Sequence, residues 1–204
     1  MTIRLHRCDL PDLSRYTGTA AIDTETMGLS LSRDRLCLVQ LSPGDGSADV
    51  VQIPPNPYDA PNLKRLLADP GVLKIFHFAR FDLAMLYHAL GVMPGPVYCT
   101  KIASRLSRTY TDKHGLKDLV REVLGHEISK QQQSSDWGAP ELTDAQISYA
   151  AADVLYLHAL KERLDTMLVR EGRGKLAAAC FRFLPDRVRL DLAGFAEDDI
   201  FAHS

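Results

Sequence analysis

The sequence lacks the features that mark several classes of protein. Its four cysteines are scattered along the chain and include no Cys-x-x-Cys pair, which argues against a structural zinc site and is typical of reduced thiols in the cytosol. No apolar stretch has the length of a membrane span. The N-terminus is not followed by the apolar run of a secretory signal. We therefore expect a cytoplasmic location and no membrane partner.

A net positive charge is also absent. The formal net charge of −2 gives no overall basic character for binding nucleic acid. The distribution is uneven, because residues 74–130 contain nine Lys and Arg against five Asp and Glu, whereas residues 131–204 contain eight against twelve. A basic middle segment can follow a phosphate backbone, but by charge alone a mixed, solvated surface is the simpler interpretation.

The composition itself is that of a globular protein. With 204 residues, 46% hydrophobic and 25% charged, the chain can bury one sizeable core. Its first half predicts short strands between turn residues, and the first three follow one another closely enough for an antiparallel meander. The strands are expected at residues 19–25, 36–41, 49–53, 73–78 and 97–100, with helices at 62–68 and 80–90.

Beyond residue 100 the apolar spacing predicts helices. One apolar stripe spans residues 116–124 and ends at Gly125. Residues 143–146 form a capping-box signal for one long helix that reaches Arg170, and a further helix is expected to end at Pro185. The fold class is therefore α/β, a mixed sheet flanked by α-helices.

Two acids stand inside a segment that should be a buried strand. Asp23 and Glu25 belong to the strand at residues 19–25, and strand alternation points both to the same face. Acidic residues are depleted in strands, and an unpaired buried carboxylate is costly. Two carboxylates on one face at the end of an apolar strand therefore favour a cation at that position.

Further polar residues follow on predicted helices. Asp82 falls in the first turn of the helix at 80–90, and Tyr149 and Asp153 are one helical turn apart. Carboxylates are the ligands that Mg²⁺ and Mn²⁺ prefer, and two unit charges about 5 Å apart repel by roughly 3 kcal/mol at an effective dielectric constant of about 20. Taken singly, each residue has an ordinary alternative, such as a solvated acid, an Asp at a helix N-terminus or a core tyrosine. Together they indicate a cation site.

In combination, four segments resemble the motifs of ribonuclease D, a member of the four-acid 3′–5′ exonuclease superfamily. The segments are residues 23–29, 77–83, 130–137 and 149–154. The tyrosine form of the last motif is the one matched, since the histidine form would need His where Ser148 stands. The resemblance covers roughly residues 5–170 and implies a ribonuclease-H-like fold, with an antiparallel meander plus parallel strands flanked by helices.

The resemblance implies a 3′–5′ exoribonuclease that releases nucleoside 5′-monophosphates from single-stranded RNA 3′ ends by two-metal-ion hydrolysis. It places two divalent ions, Mg²⁺ or Mn²⁺, on four carboxylates, with Asp23 shared by both ions. The ligand set would be Asp23, Glu25, Asp82 and Asp153. Tyr149 would orient the attacking water, because a phenol with a pKa of about 10 is a poor general base at neutral pH.

The resemblance also implies substrate contacts near the acids. Met27, Gly28 and Leu29 would contact the 3′-terminal nucleotide, with core packing an equal alternative for Met27 and Leu29. His77 and Phe81 would touch the terminal base or phosphate, although buried His and Phe usually serve packing.

A polar loop supplies the remaining candidates. Lys130 is a candidate for binding phosphate as a point charge, and Gln133 is a further substrate contact. Trp137 either stacks on a base or pins the loop to the core, and we favour pinning.

Two other functions stay open on the sequence. One is a 3′–5′ exonuclease acting on single-stranded DNA, since no residue that would contact a ribose 2′-hydroxyl can be identified. The other is a non-catalytic nucleic-acid-binding module, against which the presence of all four acids and the tyrosine argues.

The chain divides into two parts by sequence. We assign residues 1–172 to the exonuclease domain and residues 173–204 to a helical C-terminal extension packed on the same domain. Because only 51 residues follow Asp153, we expect no separate helical nucleic-acid-binding domains.

Overall fold

A mixed sheet of six strands forms the centre of the molecule, with strand order β1-β4-β3-β2-β5-β6. The computed structural model describes residues 2–31, 33–55, 59–129 and 131–203. The strands are β1 (Thr2–Arg7), β2 (Thr19–Thr26), β3 (Leu36–Ser42), β4 (Ser47–Gln52), β5 (Leu73–Phe76) and β6 (Val97–Cys99). The predicted α/β class with a mixed sheet is confirmed.

Strand direction changes across the sheet. β2, β3 and β4 pair antiparallel, so the predicted meander is confirmed. β1 joins β4, β5 joins β2, and β6 joins β5, all in parallel. The sequence did not predict β1, because this edge strand is largely exposed and lacks a clear alternation of buried residues.

The fifth strand is shorter than predicted. It ends at Phe76 rather than at residue 78, because Phe78 adopts the left-handed conformation with φ of 65° and ψ of 45° and leads directly into the next helix. A left-handed residue cannot continue a strand. The predicted strand at 97–100 is present as the edge strand β6.

Helices cover both faces of the sheet. They are α1 (Pro61–Ala68), α2 (Ala79–Leu90), α3 (Thr100–Ser107), α4 (Leu116–Leu119), α5 (Asp144–Leu155), α6 (Leu157–Arg170) and α7 (Gly174–Leu190), with π-helical turns continuing α4 over Val120–Leu124 and α7 over Asp191–Phe195. Apolar residues of α1, α2 and most of those from α7 fill the core on one face. Those of α4, α5 and α6 fill the core on the other. The sheet therefore separates two apolar layers.

The predicted long helix is two helices. Thr143 and Gln146 form the expected capping box at its start, but the helix breaks at Tyr156, whose φ of −98° and ψ of −8° leave the helical range. The prediction of one helix to Arg170 is therefore wrong. The break lets α5 pack on strands β2, β3 and β4 while α6 packs on α3, a change of direction that apolar spacing alone does not reveal.

The last helix also differs from the prediction. It does not end at Pro185 but continues to Leu190 with the proline inside. A proline removes one helical hydrogen bond and costs about 3 kcal/mol in a helix interior. Leu184 and Val188, on either side of it, are buried in the core, and this packing holds the helix through the proline.

The C-terminal segment contacts several elements of the preceding chain. α7 packs against α2, α3, α6 and β6. The division of the chain at residue 172 stays a prediction. Within the described residues, every helix is too short or too polar to cross a lipid bilayer.

Candidate active site

Strand β2 carries the first two acids past the end of its neighbour. Its pairing with β5 stops at Ala21 and Ile75, while its pairing with β3 continues through Thr26 with an irregularity between Glu25 and Thr26. The end of β2 is therefore flanked by only one strand. Asp23 and Glu25 lie in this free portion, where their side chains can meet residues from helices.

Helix α5 brings a third acid to the same place. One carboxylate oxygen from each of Asp23, Glu25 and Asp153 lies within 4.8 Å of the others, and all three residues are half-buried. Tyr149 stands one turn before Asp153 on α5, and both side chains line the same cleft. The structure thus brings together acids that are 130 positions apart in the chain (Asp23 to Asp153).

The fourth acid approaches β2 from its other face. Asp82 is buried in the first turn of α2 and accepts a 2.6 Å hydrogen bond from Oγ1 of Thr24. Thr24 lies between the two strand acids and points away from them. Asp82 is not part of the group of three carboxylates, but its charge acts on both Asp23 and Glu25.

The four carboxyl groups resist ionisation. Burial, followed by the charges of the neighbouring acids, raises the pKa of Asp23 well above its usual value. Burial, then the charges of Asp153 and Asp82, raises the pKa of Glu25 to about 8. Burial raises the pKa of Asp82 to about 7 and that of Asp153 to about 7. Among the described residues, no lysine or arginine is a cause that offsets the rise in these pKa values.

This donor set fits divalent cations. Carboxylate oxygens are the hard ligands that Mg²⁺ and Mn²⁺ prefer, and a bound cation would favour the ionised form of these groups against both burial and mutual repulsion. Among the described residues, Asp23, Glu25 and Asp153 form the one group of three or more acids, histidines or cysteines close enough to share an ion.

A cleft of about 280 Å³ opens above the acids. Its described lining residues are Asp23, Thr24, Glu25, His77, Gly115, Leu116, Lys117, Ile128, Ser129, Gln133, Tyr149 and Asp153. His77 and Gln133, both predicted as substrate contacts, are among them. Sequence reasoning missed Lys117 and Ser129, which lie in and after the apolar stripe at 116–124 and carry no motif of their own.

His77 is held neutral beside the acids. Burial, together with the charge of Lys101, lowers its pKa to about 3. Its Nδ1 lies 2.9 Å from Oγ1 of Thr100, which fixes the orientation of the ring. Phe81, by contrast, packs against the core on the α2 side of the sheet and is not among the residues that line the cleft.

The residues after the strand acids are exposed. The side chain of Met27 is 53% exposed and that of Leu29 is 83% exposed, so the core-packing alternative for these two is wrong. A Cβ at Gly28 would collide with Oδ2 of Asp34. Only glycine fits there without displacing Asp34.

The polar loop is anchored by its tryptophan. Trp137 is buried, and its ring centroid lies 5.9 Å from that of Tyr149. This burial agrees with the pinning role and leaves the ring unavailable to a base. The predicted phosphate contact Lys130 lies outside the described residues.

Comparisons of sequence agree with the geometry. A family model described as 3′–5′ exonuclease matches residues 12–169. The ribonuclease D of Gluconacetobacter diazotrophicus is 38% identical over 166 residues, which cover 81% of this chain and 42% of that protein. The chain spans about two fifths of the length of curated ribonuclease D relatives that it matches.

Comparisons with solved structures also find nucleases. The structure of Brucella melitensis NrnC with bound Mg²⁺ has a TM-score of 0.96 and 61% identity, and the match covers 100% of both chains. The same protein bound to pGG gives a TM-score of 0.97 and 62% identity, again over 100% of both chains. Escherichia coli RNase D gives a TM-score of 0.76 and 28% identity, covering 86% of this chain and 46% of that one.

Proposed function

Because the chain belongs to the 3′–5′ exonuclease family, we propose that it hydrolyses RNA from the 3′ end and releases nucleoside 5′-monophosphates. The observation that carries this proposal is the convergence of Asp23, Glu25 and Asp153 to within 4.8 Å on the floor of an open cleft, beside a tyrosine that stays protonated. Hydrolysis of a phosphodiester at such a site needs positive charge on the phosphate and an oriented water.

The carboxylates would hold that positive charge as two divalent ions, Mg²⁺ or Mn²⁺. Asp23, Glu25 and Asp153 would bind them, joined by Asp82. Ions of this kind neutralise the charge of the phosphate and of the departing 3′ oxygen, and they lower the pKa of water. The magnesium-bound Brucella melitensis relative supports Mg²⁺ as one of the ions used.

Tyr149 would orient the water and not deprotonate it. Burial, then the negative charges of Asp153, Glu25 and Asp23, raises the pKa of its phenol above the usual value, so the hydroxyl keeps its proton at neutral pH. Its place on α5, one helical turn before Asp153, puts the phenol at the edge of the acid group. A positioned hydroxyl of this kind can align an attacking water for in-line displacement.

The exposed turn after β2 would receive the substrate. Met27 and Leu29 present apolar side chains to solvent, and such groups can pack against a nucleotide base. Within the cleft, Lys117 would contact a phosphate group, and Gln133 and neutral His77 would offer hydrogen bonds. The relative bound to pGG supports a short RNA 3′ end as the occupant of the cleft.

A 5′-labelled oligoribonucleotide tests the proposal. With Mg²⁺ or Mn²⁺ we expect a ladder that shortens from the 3′ end by single nucleotides, and with EDTA we expect none. Asp153→Asn should give no ladder. Asp144→Asn changes an exposed acid at the start of the same helix and should leave the ladder intact.

The alternatives give different outcomes in the same assay. A ladder on the matched DNA but none on RNA would replace the RNA assignment with a DNA exonuclease. Binding of RNA without any release of mononucleotides at saturating Mg²⁺ or Mn²⁺ would indicate a non-catalytic module. Internal cuts, or cleavage that survives EDTA, would contradict the proposed site.

A further inference from the structure

Gln40 is a polar residue in an apolar place. Its side chain in the middle of β3 is fully buried, and neither the nitrogen nor the oxygen of its amide has a hydrogen-bond partner in the described part of the protein. Buried amides are nearly always hydrogen-bonded, since an unpaired one destabilises the fold. A buried glutamine without a partner therefore calls for an explanation.

The explanation lies across the strand pair. In the antiparallel register of β2 and β3, Gln40 stands directly opposite Asp23. Directly opposite residues project from the same face with Cβ atoms about 4.5–5.5 Å apart, so Gln40 and Asp23 are cross-strand neighbours.

Among its neighbours on β3 and β4, Gln40 meets no free polar group. On β4 the residue opposite Gln40 is Val50. Two positions along β3, Leu38 is apolar and the hydroxyl of Ser42 already donates a 2.7 Å hydrogen bond to the carbonyl of Ser47. On these strands, Asp23 is therefore the polar residue available as a hydrogen-bond acceptor for the Gln40 amide.

We propose that Gln40 is a positioning residue for Asp23, linked to it through one buried water that accepts a hydrogen bond from the Gln40 amide nitrogen and donates one to the Asp23 carboxylate. This inference rests on the proposed function, in which Asp23 holds divalent ions. A donor on its inner side would fix the orientation of the carboxylate while its outer oxygen faces the cleft. Partners of this kind typically change metal affinity by 10–100-fold when removed.

Gln40→Met separates this role from ordinary packing. Methionine has similar length and volume but no amide, so the ion-free variant should unfold at the same temperature as the wild type or higher. We expect its dissociation constant for Mn²⁺, measured by calorimetry on ion-free protein, to rise 10–100-fold. Ser42→Ala removes another buried polar group from the same strand face and should leave the Mn²⁺ affinity unchanged.

An unchanged Mn²⁺ affinity in Gln40→Met would overturn the inference. If that variant does not fold, the wild type provides a second measurement, because the ¹⁵N–¹H signals of the Gln40 amide should shift on addition of Mg²⁺. Signals that do not move while Mg²⁺ binds would also overturn it.

Measurements on the wild type and on Asp23→Asn distinguish a failure of the Gln40 inference from a failure of the proposed function. If the wild type binds Mn²⁺ and Asp23→Asn does not, the ion site stands whatever Gln40→Met shows. If the wild type binds no Mn²⁺ and leaves RNA intact, the proposed function fails and the role of Gln40 fails with it.

Discussion

Oγ1 of Thr24 donates a 2.6 Å hydrogen bond to Oδ1 of Asp82, a residue 58 positions later in the chain. The bond joins the free end of β2 to the first turn of α2. Thr24 sits between Asp23 and Glu25 but projects from the opposite face of the strand. The hydrogen bond from Thr24 therefore holds Asp82 at the end of β2, close to the acids Asp23 and Asp153, although Asp82 approaches from the opposite face of the strand.

Removing the Thr24 hydroxyl should leave the orientation of the Asp82 carboxylate less well fixed. In Thr24→Val the buried Asp82 carboxylate loses its donor, and we expect kcat on a short RNA to fall by about 10–100-fold, the usual effect of removing a hydrogen bond to a metal ligand. Thr24→Ser keeps the hydroxyl and should retain most of the activity. Equal activity of the valine and serine variants would show that the bond does not matter for catalysis.

Loss of Asp153 should separate stability from activity. Asp153→Asn removes one negative charge from a cluster in which burial, followed by the charges of neighbouring acids, raises the pKa of Asp23 and Glu25. The ion-free variant should therefore unfold at a higher temperature than the wild type at pH 8, while RNA hydrolysis is abolished. A lower unfolding temperature in ion-free buffer would argue against repulsion within the cluster.

The ion-free protein should be less stable in alkaline solution. Folding raises the pKa of Glu25 to about 8 and that of Asp153 to about 7, against about 4 for such groups in an unfolded chain. The folded state thus binds more protons than the unfolded state between these values, and stability falls as the pH rises from 5 to 8. Since 1 kcal/mol shifts the melting temperature of a protein of this size by about 2–4 °C, scanning calorimetry can measure the fall.

Divalent ions should cancel this dependence. With saturating Mg²⁺ the carboxylates stay ionised in the folded state, and the melting temperature should change little between pH 6 and 8. A flat profile in EDTA would contradict the raised pKa values, and a steep fall with Mg²⁺ present would contradict binding at this cluster.

The tyrosine should affect turnover more than binding. Tyr149→Phe removes the hydroxyl that would orient the water, and we expect kcat to fall by about 10²–10⁴-fold with KM nearly unchanged. Tyr156→Phe is a matched control on the same stretch of chain, because that ring packs against His126 and not in the cleft. Full activity in Tyr149→Phe would remove this residue from the mechanism.

The local signals in the sequence predicted most of the architecture. Short strand-like runs bounded by turn residues located β2, β3 and β4, and the Thr143 capping box located the start of α5. These signals come from interactions within a few residues of one another, which is why they can be recognised without the fold. The edge strand β1 escaped notice because it buries little surface.

The site residues likewise divide into those that local sequence spacing identifies and those that only the fold brings to the cleft. Asp23, Glu25, Tyr149 and Asp153 stood out because their spacing along one strand or one helix sets their direction. Lys117 has no such signature, and it reaches the cleft only because the loop and helix that carry it fold over the acids.

By itself the sequence determined the strand acids, the helix turn that pairs Tyr149 with Asp153, and the mixed α/β class, since backbone periodicity dictates each of them. Only the tertiary structure decided that α5 approaches one face of β2 and α2 the other, that Thr24 ties Asp82 to the group, and that Gln40 lies opposite Asp23. These relationships depend on strand register and on packing between distant segments, and a local sequence pattern encodes neither.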